Sequence, residues 1–343
     1  MALSATFKQA VFKTAGGPLV VEEVPLVQPS ANQLLVKVEA CGVCFSDQMA
    51  QHNMMGAGFP IVPGHEYIGR IAALGPHVTG WTVGDRVGGA WHGGHDGTCK
   101  ACRKGWYQMC DNRSVNGETK NGGYAEYCFL NAEAAVRVPT HLPAAKYAPM
   151  LCAGVSVFNS IRHMNIAVGE TVAVHGLGGL GHLAVQYARK MGYRVVAISR
   201  DASKKQSARE LGAHEYIDSS AVDVGEALQK LGGASLIVVT TPSSEIANPL
   251  LKGLGILGKL LFLSVPGKVE VDTATMLTTL QLGYGLSVQV WPCGHATDTE
   301  DAIAFAEMEN VECLVEEFPL EKANEAYEAM LKGTVRYRAV VTM

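Results

Sequence analysis

Two hydrophobic rhythms divide the chain. Through about residue 150 the apolar positions come in short alternating runs, "QLLVKVEA" (33–40), "YIGRIAAL" (67–74) and "GDRVGGAW" (84–91), separated by turns rich in Gly and Pro. Alternation with a period of two puts one face of a strand in a core and the other in water, so this part predicts a mainly β domain. From Glu170 the rhythm changes. "TVAVHG", "RVVAIS", "SLIVVTT" and "KLLFLSV" are nearly continuous apolar runs, and "LGHLAVQYARKMG" and "ASKKQSARELGA" between them carry helical periodicity. Apolar strands alternating with helices call for a parallel sheet covered on both faces. After "GLSVQV" and Trp291 come two amphipathic helices, "TEDAIAFAEME" and "EKANEAYEAMLKG", and a closing strand, "RYRAVVTM". The parallel-sheet module is therefore inserted into the first domain or appended near its end.

Composition narrows the function classes. A chain of 343 residues suggests two domains at about 150 residues each. A net charge of -4 offers no basic surface for nucleic acid or an anionic membrane, which leaves a small molecule as the expected ligand. The opening "MALSATFKQAVFKTAGG" lacks the layout of a secretory signal. The most apolar later stretch, "LKGLGILGKLLFLSV", is broken by lysines and glycines and falls short of the ~20 apolar residues that span a bilayer. The expectation is a soluble, cytoplasmic protein. Nine cysteines, an odd number in a reducing compartment, point to metal binding or burial rather than disulfides.

"VAVHGLGGLGHLA" sets Gly176, Gly178, Gly179 and Gly181, with Leu180 between the last two, directly after a strand and at the mouth of a helix. Glycines there permit a tight turn and close backbone approach, and the helix N-terminus offers N–H groups to a pyrophosphate. An NAD site usually carries Asp or Glu about 20 residues further on, at the end of the next strand. Here Ser199 and Arg200 occupy the strand end, with Lys204 and Lys205 nearby. A hydroxyl and a guanidinium suit a 2′-phosphate, so NADP(H) is favoured over NAD(H), with Asp201 the counter-argument.

"CGVCFSD" (41–47), "GHE" (64–66) and "MLCAG" (150–154) are each weak metal signals alone. Cys99, Cys102 and Cys110 form a CxxC pair followed by a third cysteine, which has the look of a metal clip short of one ligand. Together with the glycine loop, and with "FKQAVF", "PGHEYIGRI", "GDRVG", "GGYAEY" and "RYRAVV" in order along the chain, these stretches resemble the zinc-dependent alcohol dehydrogenases of the medium-chain dehydrogenase/reductase family.

That resemblance implies an α/β protein with a GroES-like, mainly β catalytic domain over residues 1–152 and 291–343. A Rossmann domain, a doubly wound parallel sheet that binds the cofactor, occupies 153–290. It implies a catalytic zinc on Cys44, His65 and Cys152, a ligand set that leaves one tetrahedral corner for substrate. Asp47 then orients the ligating histidine, and Glu66 is the acidic neighbour of the metal. Ser46 matches the hydroxyl that starts the proton relay. Met49 stands where many relatives have the relay histidine, leaving His52, or the cofactor ribose and water, as the exit. Phe45 replaces a basic pyrophosphate contact, while Arg338 matches the remaining one. Counting back from Cys99 puts Asp96 in the place of the clip's first cysteine. The expected structural zinc site is thus Asp96, Cys99, Cys102 and Cys110, with His95 as the alternative ligand. Two zinc ions per chain follow.

Trp91 and Trp291 are candidate walls of the substrate pocket, and two indoles there favour primary alcohols and aldehydes. The resemblance also implies a homodimer or homotetramer built by sheet extension. A zinc-free quinone or enoyl reductase of the same fold, or a non-catalytic dinucleotide-binding protein, are the competing functions. Neither has use for the Cys44, His65 and Cys152 set.

Overall fold

A computed structural model describes residues 4–279 and 282–343. The chain forms two units. One comprises residues up to Val155 with Cys293–Glu307 and Cys313–Met343, and the other Ser156–Pro292 with Met308–Glu312.

The first unit is built around the strand Gln33–Gly42. One edge of it runs antiparallel to Tyr67–Leu74, which in turn pairs with Arg86–Gly89. Along the other edge, its first half pairs with Tyr127–Asn131 and its last residues with the C-terminal strand Arg338–Thr342. Val315–Pro319 and Val136–Arg137 complete a seven-stranded sheet. An antiparallel hairpin, Thr6–Phe12 with Leu19–Pro25, forms its own two-stranded sheet and buries Phe7, Val11, Phe12 and Leu19 in the core of this unit. The alternating pattern explains the core: Leu34, Val36 and Val38 are buried with Ile71, Leu130 and Val341, whereas Lys37 points outward. Each such side chain contributes about 1.5–3 kcal/mol as an upper estimate. "QLLVKVEA", "YIGRIAAL" and "FKQAVF" are strands as expected.

The second unit is a doubly wound sheet. Its six strands lie in the order Glu215–Asp218, Arg194–Ser199, Thr171–His175, Ala234–Val239, Leu254–Phe262 and Ser287–Val290, and each pairs in parallel with its neighbour. The chain starts in the middle, winds one way, then returns and winds the other. The point of reversal falls between Thr171–His175 and Ala234–Val239, where such sheets take their ligands beyond the strand C-termini. Val172, Val174, Val196, Ile198, Leu236 and Val238 are all buried, which accounts for the continuous apolar runs. Met308–Glu312 belongs here because Gln186 clamps it: Gln186 Nε2 donates to the Glu312 carbonyl and the Glu312 N–H donates back to Oε1.

Several elements differ from the sequence pattern. "ASKKQSARELGA" is not one helix: Ala202–Lys204 forms a 3₁₀ turn, capped by the Asp201 carboxylate at the Ser203 N–H, before the helix Lys205–Glu210. The strand around "KLLFLSV" begins earlier, at Leu254, and ends at Phe262. The helix Ala153–His163 was not anticipated at all. Among the described residues, no helix is long and apolar enough to cross a membrane. The nine cysteines form no disulfide.

Candidate active site

Cys44, His65 and Cys152 converge within the first unit. Cys44 lies just past the strand Gln33–Gly42, His65 just before Tyr67–Leu74, and Cys152 immediately before the helix Ala153–His163. Gly64, at φ +97°, makes the turn into His65, a conformation that side chains disfavour. The sulfurs of Cys44 and Cys152 are 3.9 Å apart. Two thiolates about 2.3 Å from one tetrahedral centre would stand roughly 3.8 Å apart. Ligand atoms of Cys44, His65, Glu66 and Cys152 all lie within 4.8 Å of one another. His65 and Glu66 are fully buried, yet both His65 ring nitrogens and Glu66 Oε2 lack hydrogen-bond partners. Leaving buried polar atoms unmade is costly, and a soft divalent cation satisfies this donor set. The Cys152 thiol, by hydrogen bonding to Cys44, pushes the Cys44 thiol well below its ordinary range, aided by His65 and Arg338. A thiolate is the form that binds metal.

Around this cluster sits a shell of buried charge. Asp47 opens the short helix Asp47–Gln51. Its Oδ2 accepts from the Cys44 backbone N–H at 2.9 Å and from the Tyr124 hydroxyl at 2.7 Å. Its Oδ1 lies 3.3 Å from His65 Nδ1, within ion-pair reach but out of line for a hydrogen bond. The carboxylate thus addresses the imidazole from behind, the arrangement that fixes a ligand's orientation. Glu66 pairs with Arg338, which is itself buried. Burial pushes the Glu66 carboxyl up to about 7, against the opposing pull of Arg338. Arg338, matched in sequence to a pyrophosphate contact, is held here on Glu66. The Trp91 ring meets His65 edge-on, with centroids 4.8 Å apart.

Other expected residues fall nearby or elsewhere. Ser46 precedes the short helix and its hydroxyl makes no cap bond. His52 ends that helix, exposed, with its ring beside Gly16. Phe45 is exposed. Trp291 falls in the second unit, stacked on His163 at 4.2 Å. Two functional neighbours had no sequence reading: Tyr124, and Glu118, which with Asp47 and His65 forms a second tight group. Glu118 is 2% exposed with neither carboxyl oxygen hydrogen-bonded. Burial, then the charge of Asp47, pushes it up to about 8.

The cysteine clip also closes. Ligand atoms of Asp96, Cys99, Cys102 and Cys110 lie within 4.8 Å of one another. Backbone N–H groups point at the sulfurs: Cys102 at Cys99, and both Asp96 and Asn112 at Cys110. Asp96 is steadied by the N–H groups of Thr98 and Cys99 and by the Asn112 amide, which hold its carboxyl far below the ordinary range. His95 turns away, its Nδ1 3.2 Å from His92 Nε2 and its ring stacked on Tyr107.

In the second unit the glycine loop joins Thr171–His175 to the helix Gly181–Lys190. Gly176 has φ +98°. A Cβ on Gly181 would strike the Gly176 carbonyl, whereas one on Gly178 would meet nothing within 4 Å. The first contact is the tight helix–strand approach and the second an open cradle at the helix mouth, the two uses glycine has in a pyrophosphate loop. Leu180, at the N-cap, has no side-chain cap bond, so the first N–H groups of the helix are not capped by it. Gly179 and Leu180 are half-buried. Ser199 ends Arg194–Ser199, Arg200 is exposed beyond it, and Lys204 is half-buried in the following turn. Asp201 is occupied in capping that turn.

The chain matches two family models, the alcohol dehydrogenase GroES-like domain over residues 30–140 and the zinc-binding dehydrogenase domain over residues 179–307. It is 64% identical to alcohol dehydrogenase patD of Penicillium expansum over 99% of this chain and 98% of that protein. It is 60% identical to alcohol dehydrogenase notN of an Aspergillus species over the full length of both. Among solved structures, a cinnamyl alcohol dehydrogenase from Sorghum bicolor superposes with a TM-score of 0.86 at 28% identity, covering 98% of this chain and 97% of that one. The chain belongs to the zinc-type alcohol dehydrogenases of the medium-chain dehydrogenase/reductase family. It is accordingly an oxidoreductase with a small-molecule substrate.

Proposed function

We propose that the protein is a zinc-dependent, NADP(H)-linked alcohol dehydrogenase or aldehyde reductase that interconverts a primary alcohol and its aldehyde. The observation that carries this is the convergence of Cys44 and Cys152, 3.9 Å apart, on a buried His65 whose Nε2 has no hydrogen-bond partner. Zinc held by these three residues would supply Lewis acidity, favouring ionisation of an alcohol or polarising an aldehyde. NADP(H) would supply or accept the hydride.

The chain's own side chains do the rest. Ser46, two residues past Cys44, exchanges the proton with the substrate oxygen, and His52, or the cofactor ribose and water, carries it onward. Asp47 orients His65, and Glu66, paired with Arg338, keeps a carboxyl beside the metal. Trp91, edge-on to His65, narrows the approach so that a primary carbon passes more easily than a bulky secondary one. Gly176, Gly178, Gly179, Leu180 and Gly181 receive the pyrophosphate. Ser199, Arg200 and Lys204 receive the 2′-phosphate, a choice supported by the engagement of Asp201 in its own cap. Asp96, Cys99, Cys102 and Cys110 would hold a second, structural zinc that stiffens a loop with little apolar core.

The same reading makes the enzyme cytoplasmic, in keeping with cysteines that form no disulfide, and a homodimer or homotetramer. The edge strand Ser287–Val290, with Val290 exposed, is the element a second copy would extend. The test is NADPH oxidation with benzaldehyde or a short aliphatic aldehyde before and after chelation. Turnover should disappear with the metal and return with added zinc. Chelator-insensitive turnover would favour the zinc-free reductase, and cofactor binding without turnover the non-catalytic protein.

A further inference from the structure

Tyr124 sits in the core of the first unit with no exposure, yet its hydroxyl makes one directed bond, 2.7 Å to Asp47 Oδ2. The same oxygen accepts from the Cys44 backbone N–H. A carboxylate end is a soft rotor with broad torsional wells. Two donors on one oxygen pin it and present the other oxygen, Oδ1, to His65 Nδ1. The Tyr124 ring is itself fixed from the ligand side. The Gly122, Gly123 and Tyr124 N–H groups bond to the carbonyls of Val62, Gly64 and Pro63, the residues leading into His65. A Cβ on Gly64 would stand 2.5 Å from the Tyr124 ring, so the glycine before the ligand is also what admits the phenol.

We propose that Tyr124 is a positioning residue of the metal centre: through Asp47 it sets the orientation of His65 and joins that ligand mechanically to Cys44. This rests on the zinc site proposed above. Tyr124 acts on the centre through its hydroxyl bond to Asp47. Its effect is read in how long the cation stays rather than in contact chemistry. Losing an outer partner of a metal-ligating histidine costs 10–100-fold in affinity, and Tyr124, one bond further out, should lie near the lower limit.

The experiment is zinc release from the holoenzyme into a chromogenic chelator, for the parent, Tyr124→Phe, Asp47→Asn and the double variant, with thermal melts of each metal-free protein. The parent should release zinc in two phases, one for each site. Tyr124→Phe should accelerate the Cys44/His65/Cys152 phase about tenfold and leave the phase from Asp96, Cys99, Cys102 and Cys110 unchanged. The double variant should release zinc no faster than Asp47→Asn alone, because the hydroxyl acts through that carboxylate. An unchanged release rate with a lowered metal-free melt would make the hydroxyl a core hydrogen bond only and overturn the proposal. So would strictly multiplicative effects in the double variant. A parent that binds no zinc at Cys44, His65 and Cys152 would instead refute the underlying zinc site, a result told apart by metal content before any variant is made.

Discussion

Cys44 Sγ and Cys152 Sγ, 108 residues apart in the chain, lie 3.9 Å from each other against a buried imidazole. A thiol beside a thiolate makes one weak hydrogen bond, whereas two thiolates and an imidazole make a zinc ligand set. The arrangement concentrates function on the residues that hold, orient and serve that position.

Ser46→Ala should lower kcat about 100-fold, within the range for losing a positioned proton-transfer group, with zinc content intact. Ser46→Thr should recover most of the rate. Steady-state turnover with metal analysis checks this, and a fully active Ser46→Ala would remove Ser46 from the relay.

Ser199→Asp should weaken NADPH use and improve NADH use, since a carboxylate repels a 2′-phosphate and accepts from ribose hydroxyls. The ratio of kcat/KM for the two cofactors should shift by a factor of ten or more, roughly the effect of 1.4 kcal/mol or above. NADPH affinity unaffected by this change would show that Ser199 does not face the phosphate.

Asp96→Ala should halve the zinc content per chain and lower the melting temperature by roughly 10 °C, while Asp96→Cys should retain both metals. Retention of two zinc ions in Asp96→Ala would contradict the ligand assignment.

His92 governs part of the acid limb of stability. Burial, reinforced by His95, His295 and Lys120, lowers its pKa to about 3. Between an unfolded value near 6.5 and that folded value, the unfolded chain binds the extra proton. Stability is therefore fully present above about pH 6.5 and falls as pH drops towards 3, by roughly 1 kcal/mol per pH unit. In denaturant titrations across this range, His92→Leu should flatten the slope. An identical slope would place the acid sensitivity in other groups.

How much of this could be read from sequence depends on whether a feature is local. "YIGRIAAL" alternates and is the strand Tyr67–Leu74. The glycine loop keeps strand, turn and helix in one contiguous stretch, and it folds in that order. The helix Ala153–His163 is hard to read because Gly154 and the β-branched Val155, Val157 and Ile161 give it weak local helix propensity. Cys44, His65 and Cys152 carry no common local pattern. They became legible together only through family resemblance. Tyr124 sits in "GGYAEY", where nothing local signals its bond to Asp47. "VNGETKNGG" looks like a solvated turn, and nothing in it signals that Glu118 is buried. Both depend on tertiary contacts that sequence periodicity does not encode.

The most direct measurement is anomalous diffraction at the zinc absorption edge from crystals that turn over aldehyde with NADPH. A peak in contact with Cys44 Sγ, the His65 imidazole and Cys152 Sγ is the expected result. Catalytically active crystals with no anomalous density among those three side chains would contradict the account.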